Sequence, residues 1–395
     1  MIRIDNKSDC CGCTACESIC AHNAISMRPD TLGFLYPVVD VDKCVDCGLC
    51  DKVCAFNDNY DISQNLKHPV VYGARHKDIT EVASSRSGAA FVAISDYVLE
   101  NGGVVYGVAF AEYFRVIHKR AKTKQERNEF RGSKYVQSDL TGIFRQVKKD
   151  LSDGLTVLFS GTPCQTAGLR AFVGVKLQKT LVLIDIVCHG VPAPNIWRDY
   201  LNFLEKKYKS KIISVDFRDK NLYGWEAHRE SYKFKSMKER ISSRSYTELF
   251  YQHIMLRYSC EKCHYANLQR PSDITIADFW GWDKTNKEIN KDDKGVSLIL
   301  CNTEKGVEIF DAVKDCMTVF TAELDNCLQP NLQGPTIFSP QRTLFEKDYE
   351  KYGFEYVLNK YSTPKWKCFL RELKHKIIKL ISLLSTKRCG RIKNK

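Results

Sequence analysis

From Val70 onward the chain alternates between short apolar runs and longer segments whose apolar residues recur every three or four positions. The runs "VVYGAR", "GGVVYGVAF", "LTVLFSG", "LVLIDIVCHG", "DITIADFWG" and "VSLILCN" predict strands. Between them "GAAFVAISDYVLENG", "TGIFRQVKKDL" and "NIWRDYLNFLEKKY" carry the helical period. Strands alternating with helices predict an α/β body with a largely parallel sheet, whose ligands collect at the carboxyl ends of the strands. Ahead of the body the polar stretch "NDNYDISQNLKHP" predicts a linker, and before it "GFLYPVVDVDKC" reads as one strand of a hairpin between two cysteine-rich runs. The pattern divides the chain at residues 1–58, 66–150, 151–345 and 346–395: a small N-terminal unit, two parts of the body, and a C-terminal extension.

The cysteines change this picture most. There are 18 in 395 residues, no stretch near the N-terminus resembles a signal peptide, and no apolar run approaches the length of a membrane span. A cytoplasmic compartment is predicted, where thiols stay reduced and regular spacing points to metal. Cys10, Cys13, Cys16 and Cys20 read C-x2-C-x2-C-x3-C, and Cys44, Cys47, Cys50 and Cys54 repeat it. That duplicated spacing is the two-cluster ferredoxin pattern, in which three thiolates of each run hold one [4Fe-4S] cube and the fourth crosses to the other. The expected sets are therefore Cys10, Cys13, Cys16 with Cys54, and Cys44, Cys47, Cys50 with Cys20, in an α+β ferredoxin-like N-terminal domain. The proline that usually follows the fourth cysteine is replaced by Ala21 and Ala55, which removes a turn constraint and leaves the ligands untouched. Cys11 lies outside the spacing and is expected to be a bystander.

Three strand ends in the body carry further thiols. "SGTPCQTAG" presents Cys164 at the start of a predicted helix, where free N–H groups suit an anionic group. "CHGVPAP" brings Cys188 and His189, and "YSCEKCHYA" brings Cys260 and Cys263 at x2 spacing. Together they make one four-thiolate set, for which three readings stand: buried thiols acting as small hydrophobes, structural zinc, and a third [4Fe-4S] cluster. Cys301, Cys316, Cys327, Cys368 and Cys389 show no ligand spacing.

The motifs "RGSKYVQSD", "SGTPCQ", "CHGVPAP", "CEKCHYANLQRPSDITIADFWG" and "QPNLQGPT" resemble the beta subunit of coenzyme F420-reducing hydrogenase and formate dehydrogenase, a family that includes 7-hydroxymethyl chlorophyll a reductase. The resemblance runs from about Val70 to about Tyr361. It implies an FAD-bearing α/β body with a cysteine-bound [4Fe-4S] cluster near the flavin, with Cys164, Cys188, Cys260 and Cys263 at the family's central cysteines. It also associates Ser87, Gly88, Arg131, Gly132, Ser133, Tyr135, Thr162 and Gln165 with flavin or substrate. The turn "SSRSGAAF" departs from the expected serine-rich turn with two glycines, because Arg86 and Ala89 intrude, and no G-x-G-x-x-G follows a strand, which argues against a direct dinucleotide site of the Rossmann type.

Clusters pass single electrons, whereas an organic acceptor takes two, and a flavin converts between them. The implied order is a ferredoxin or other electron-transfer protein, the N-terminal cubes, the central cube, FAD, and a small-molecule acceptor. His189, Lys134 and Asp278 are the candidate proton donors or flavin-tuning groups, each with a plainer alternative as a packing, solvated or turn-capping side chain. Trp280 and Trp282 read as core or stacking residues. Two further functions compete: a coenzyme F420 oxidoreductase subunit, and an electron-transfer subunit with no substrate site.

The net charge is +13, but the segment from Pro364 holds eleven Lys and Arg against Glu372, leaving +3 for the rest. The body thus presents no case for nucleic acid. In the tail Trp366, Phe369, Leu370, Leu373, Ile377, Leu380, Ile381 and Leu384 recur at helical spacing opposite a basic face. Such a helix suits the inner surface of an anionic membrane or a partner subunit, the alternative being a helix docked on its own body.

Overall fold

The computed structural model describes residues 1–56 and 60–362; the basic segment from Pro364, with Cys368 and Cys389, lies outside them. In the N-terminal segment β1 (Ile25–Pro29) and β2 (Leu35–Val39) form an antiparallel hairpin, with Ile25 opposite Val39. The Asp30 carboxylate turns the hairpin by accepting the N–H groups of Leu32 and Phe34, at 3.0 and 2.9 Å. Both side chains are fully buried against Trp197 and its neighbours. Gly33, at φ +88°, is needed there, because a Cβ would lie 2.8 Å from Asn195 Oδ1.

The remaining strands are β3 (Asn65–His76), β4 (Val104–Phe110), β5 (Val116–Ala121), β6 (Val157–Gly161), β7 (Leu181–Ile186), β8 (Ile212–Asp216), β9 (Glu230–Phe234), β10 (Arg240–Ser243), β11 (Ile274–Asp278), β12 (Ser297–Thr303) and β13 (Met317–Thr321). Eight form one mixed sheet in the order β13-β3-β12-β11-β7-β6-β4-β5. Its centre, β4-β6-β7-β11, is parallel, and the flanking pairs are antiparallel. The expectation of a largely parallel sheet therefore holds for the centre alone. Crossover helices such as Pro163–Val173 carry the chain back between parallel neighbours, whereas the short connection from Phe110 to Val116 can only return antiparallel. The three strands β8, β9 and β10 form a second, antiparallel sheet.

Alternation along the central strands sorts two cores. Val105, Leu158, Val182 and Ile184 face the helices Ala90–Glu100 and Glu304–Val313. Val104, Tyr106, Val157, Phe159, Leu181 and Leu183 face the other way, toward Phe144, Leu169 and Phe172, and that core also takes in Cys11, Cys13, Val53 and Phe56. The N-terminal segment thus shares a core with the sheet. The stretch expected to be a linker is partly strand, since β3 begins at Asn65, paired with Thr303 across a register shift. Tyr60 is likewise anchored, donating to Gln269 O at 2.6 Å. Among the described residues no helix is long and apolar enough to cross a membrane.

Candidate functional site

Two thiol-lined cavities occupy the N-terminal segment. One, of about 330 Å³, is lined by Cys10, Cys13, Cys16 and Cys54 together with Cys11, Ile2, Ile4 and Phe56. The other, of about 380 Å³, is lined by Cys44, Cys47, Cys50 and Cys20. The crossing follows from the short helices Ala15–Ile19 and Leu49–Lys52, each of which separates the third cysteine of its run from the fourth. Backbone N–H groups point at the sulfurs: Ile2 N lies 3.2 Å from Cys50 Sγ and Ala24 N 3.3 Å from Cys20 Sγ. Those of Gly12, Ala15, Glu17 and Phe56 face Cys10, Cys13, Cys16 and Cys54. Burial pushes the Cys16 thiol up and Cys54 to about 11, a penalty that the positive charge of bound iron reverses.

The four body cysteines also converge. Burial raises Cys188 well above the ordinary thiol range, and the next contributors are Cys260 and Cys164. Cys260 is pushed to about 12 by burial with Cys263 and Cys164 nearby, and Cys263 to about 11 by burial and Cys164. Gly190 N and Val191 N each stand 3.4 Å from a sulfur, of Cys188 and Cys260. Arg270, buried with Asp185 at 2.9 Å, holds the loops together by donating to Ile186 O and Tyr265 O, at 2.9 and 2.6 Å. Cys11, read as a bystander, lies between the two inner sites, hydrogen bonded to both Cys13 and Cys164. Its bond is the main reason that Cys164 falls to about 7. Among the described residues no three His, Cys, Asp or Glu are gathered for a single metal ion.

A third cavity, polar and of about 600 Å³, opens beside the parallel strands. Arg86, Arg131, Lys134, Arg218 and Lys220 line it, with Ser84, Ser85, Gly132, Ser133 and Asp216. The cations crowd one another. Burial and then Arg218 lower Arg86 to about 10; burial and then Arg86 lower Lys220 to about 7; burial lowers Lys134 to about 7. The Nε atoms of Arg86, Arg131 and Arg218 are buried without a hydrogen-bond partner. A ligand bearing phosphate groups would supply the missing acceptors and negative charge.

Residues 9–57 match the 4Fe-4S dicluster domain, and residues 154–326 match the family described as the C terminus of the coenzyme F420 hydrogenase/dehydrogenase beta subunit. Over that span the chain resembles the coenzyme F420 hydrogenase/dehydrogenase beta-subunit family. No curated protein matches the chain. Among solved structures it is similar to a chain of the F420-reducing [NiFe] hydrogenase complex from Methanosarcina barkeri, at 15% identity and a TM-score of 0.46, over 76% of this chain and 94% of that one. The dicluster match encloses all eight N-terminal cysteines of the two runs, and the beta-subunit match encloses Cys164, Cys188, Cys260 and Cys263.

The other residues singled out in the sequence are dispersed around the polar cavity and the thiol-bearing loops. Arg131, Gly132, Ser133 and Lys134 line the polar cavity, where Lys134 Nζ donates to Glu129 O and Arg131 O, both at 2.9 Å. Ser87 and Gly88 stand beside it: the Ser87 hydroxyl is taken by Val296 O at 2.6 Å, and a Cβ on Gly88 would lie 2.3 Å from Ala74 O. Thr162 and Gln165 shape the start of the helix that carries Cys164, with Thr162 N donating to Gln165 Oε1 at 2.9 Å and Thr162 Oγ1 lying 3.2 Å from Cys164 Sγ. Asp278 anchors the cations, accepting from Arg218 Nη1 at 2.6 Å and Trp225 Nε1 at 3.0 Å. His189 follows Cys188 and shares a contact of 2.7 Å with His253; burial lowers it to about 4, so the ring is neutral at pH 7. From His189 an aromatic path runs through Tyr251 and His228 to Tyr135, whose hydroxyl accepts from Arg218 Nη1 at 3.4 Å. Trp280 stacks on Trp225 at 4.6 Å. Arg218, Lys220, His228 and Tyr251 had no signal in the sequence, and Arg86, read as an intrusion into a turn, faces the cavity.

Proposed function

We propose that this chain is an iron-sulfur flavoprotein oxidoreductase that accepts electrons from a ferredoxin-like donor and passes them to FAD and an organic acceptor. Residues 1–58 would form the ferredoxin-type domain, and Cys10, Cys13, Cys16 and Cys54, with Cys44, Cys47, Cys50 and Cys20, would hold its two cubes. Cys164, Cys188, Cys260 and Cys263 would hold a third. The observation that carries the flavin is the convergence of five cationic side chains, three with unpartnered buried Nε atoms, on one cavity. These residues suit the diphosphate of FAD, which when bound supplies the exchange between one-electron and two-electron chemistry. Arg86, Arg131, Arg218 and Lys220 would bind and orient it, and Asp278 would keep Arg218 aimed through its carboxylate. Lys134, which burial lowers to about 7, can hold or release a proton at Nζ near neutral pH.

The family description favours a second reading, a subunit that works on coenzyme F420 beside a hydrogenase or dehydrogenase partner. Anaerobic purification of the full chain tests both. Bound FAD with about 12 irons per chain is expected for three cubes. About eight irons with zinc would remove the central cluster, and no flavin after reconstitution would leave an electron-transfer subunit. Bleaching of added coenzyme F420 under a one-electron donor would select the second reading.

A further inference from the structure

Arg257 is fully buried, and its neighbours are unusual for a buried guanidinium. Nε donates to Cys10 O at 2.7 Å, Nη1 to Gln137 Oε1 at 2.9 Å and Nη2 to Leu35 O at 2.8 Å, while Nη2 also lies 3.6 Å from Cys10 Sγ. The cation covers the Tyr36 ring at 4.2 Å. The other buried arginines among the described residues, Arg127, Arg170, Arg218, Arg270 and Arg342, each meet a carboxylate, of Asp96, Asp273, Asp278, Asp185 and Glu346. None of the hydrogen-bond partners of Arg257 is a carboxylate. Its guanidinium faces the thiol of Cys10, and its own carbonyl accepts the N–H of the thiol-bearing Cys260 at 2.9 Å. An isolated buried cation is costly, so its counter-charge has to come from something held at those thiols.

We infer that Arg257 is the fixed counter-charge of the cluster cradled by Cys10, Cys13, Cys16 and Cys54, and that it makes this inner cluster the more easily reduced of the N-terminal pair. The inference rests on the reading of those cysteines as cluster ligands. A cube held by four thiolates is negatively charged and gains one more negative charge when reduced, so a buried cation favours the reduced form. Among the described residues that line the outer cradle, the basic groups are His22 and the half-buried amino group of Met1, which is paired with Asp46 at 2.7 Å and Asp51 at 3.3 Å. Solvent and salt screen a charge in that position. An electron entering at the outer cluster from a one-electron donor protein therefore moves downhill to the inner one. There Arg257 also ties the cradle to the central site, its carbonyl accepting Cys260 N at 2.9 Å.

The test is a redox titration of the anaerobic full chain followed by electron paramagnetic resonance, with C54S and C20S assigning the inner and outer signals. In the wild type the inner cluster should have the higher potential; an inner potential below the outer one overturns the inference even if no Arg257 variant assembles. R257M should lower the inner potential by at least ~59 mV, a tenfold change in the one-electron constant, and leave the outer unmoved. R257K should restore most of it. An unchanged inner potential in iron-replete R257M, or an equal loss in R257K, would show a structural clamp and not a counter-charge. If the wild type holds no inner cluster, the ligand reading fails instead, and the iron count and the missing signal make that failure distinct.

Discussion

If the polar cavity holds FAD as proposed, raising the pH should weaken its binding by an amount set by Lys220. Its Nζ donates to Ser87 O at 3.2 Å and Lys294 O at 2.6 Å, with no carboxylate among these partners, and burial followed by repulsion from Arg86 lowers it from 10.5 to about 7. That displacement corresponds to ~5 kcal/mol between the protonation states. At pH 8 the free protein therefore holds Lys220 mostly neutral. A bound diphosphate favours the charged form, so binding takes up close to one proton at pH 8, and affinity falls as pH rises through 7. The sign is opposite for the stability of the ligand-free protein. Its unfolded lysine binds more protons between pH 7 and 10.5, so Lys220 destabilises the fold least at the alkaline end. Between pH 7 and 9 one such group alone predicts a fall of ~50-fold in affinity, or ~2.3 kcal/mol, because it is already half neutral at pH 7. Lys134, also near 7, steepens it if it faces the ligand. Calorimetric titration of the deflavinated protein, in two buffers of different ionisation enthalpy, counts the protons. K220M should bind more weakly at pH 7 and show one proton less uptake. A dissociation constant that stays flat from pH 7 to 9, with no proton uptake at pH 8, would refute the placement of a phosphate beside Lys220.

Three further outcomes follow from the same contacts. C20S should convert the cluster held by Cys44, Cys47 and Cys50, while C54S should convert the one held by Cys10, Cys13 and Cys16, each read as loss of iron and a changed paramagnetic signal; C11A should keep the full iron count, since Cys11 bonds to Cys13 and Cys164 without joining either set. R270M leaves the Asp185 carboxylate buried and unpaired, which should cost about 3–5 kcal/mol, seen as an earlier thermal unfolding transition by circular dichroism. G168A should loosen the seat of the N-terminal segment, because its Cβ would fall 2.6 Å from Cys13 Sγ, and limited proteolysis should then degrade that segment sooner.

Much of the central sheet was legible because its strands are apolar runs flanked by breakers: β4, β6, β7 and β11 fall within the quoted stretches, and β12 runs one residue past its own. Apart from β13, the missed strands of the body are of another kind. β8 to β10 are the segments "IISVD", "ESYKF" and "RISS", in which serines and charged residues interrupt the apolar pattern, and Arg240 bridges Ser231 and Ser214 across the small sheet. β5, "VIHKRA", looks solvated, yet its His118 is buried between Ser138 Oγ and Ser160 O. Polar strands of this sort are recognised only by the partners that satisfy them.

The sequence by itself determined the iron-sulfur chemistry, because ligand spacing is a local property: three thiols at x2 intervals can hold one cube wherever the loop sits. The tertiary structure decided everything that depends on residues far apart in the chain. It brought Cys164 beside Cys11, and Arg257 beside Cys10 across 247 positions. It also gathered Arg86, Arg131, Arg218 and Lys220 around one cavity. A basic residue in a sequence reads as solvated until the fold removes the water around it, and burial that leaves guanidinium nitrogens without a hydrogen-bond acceptor marks it as waiting for an anion.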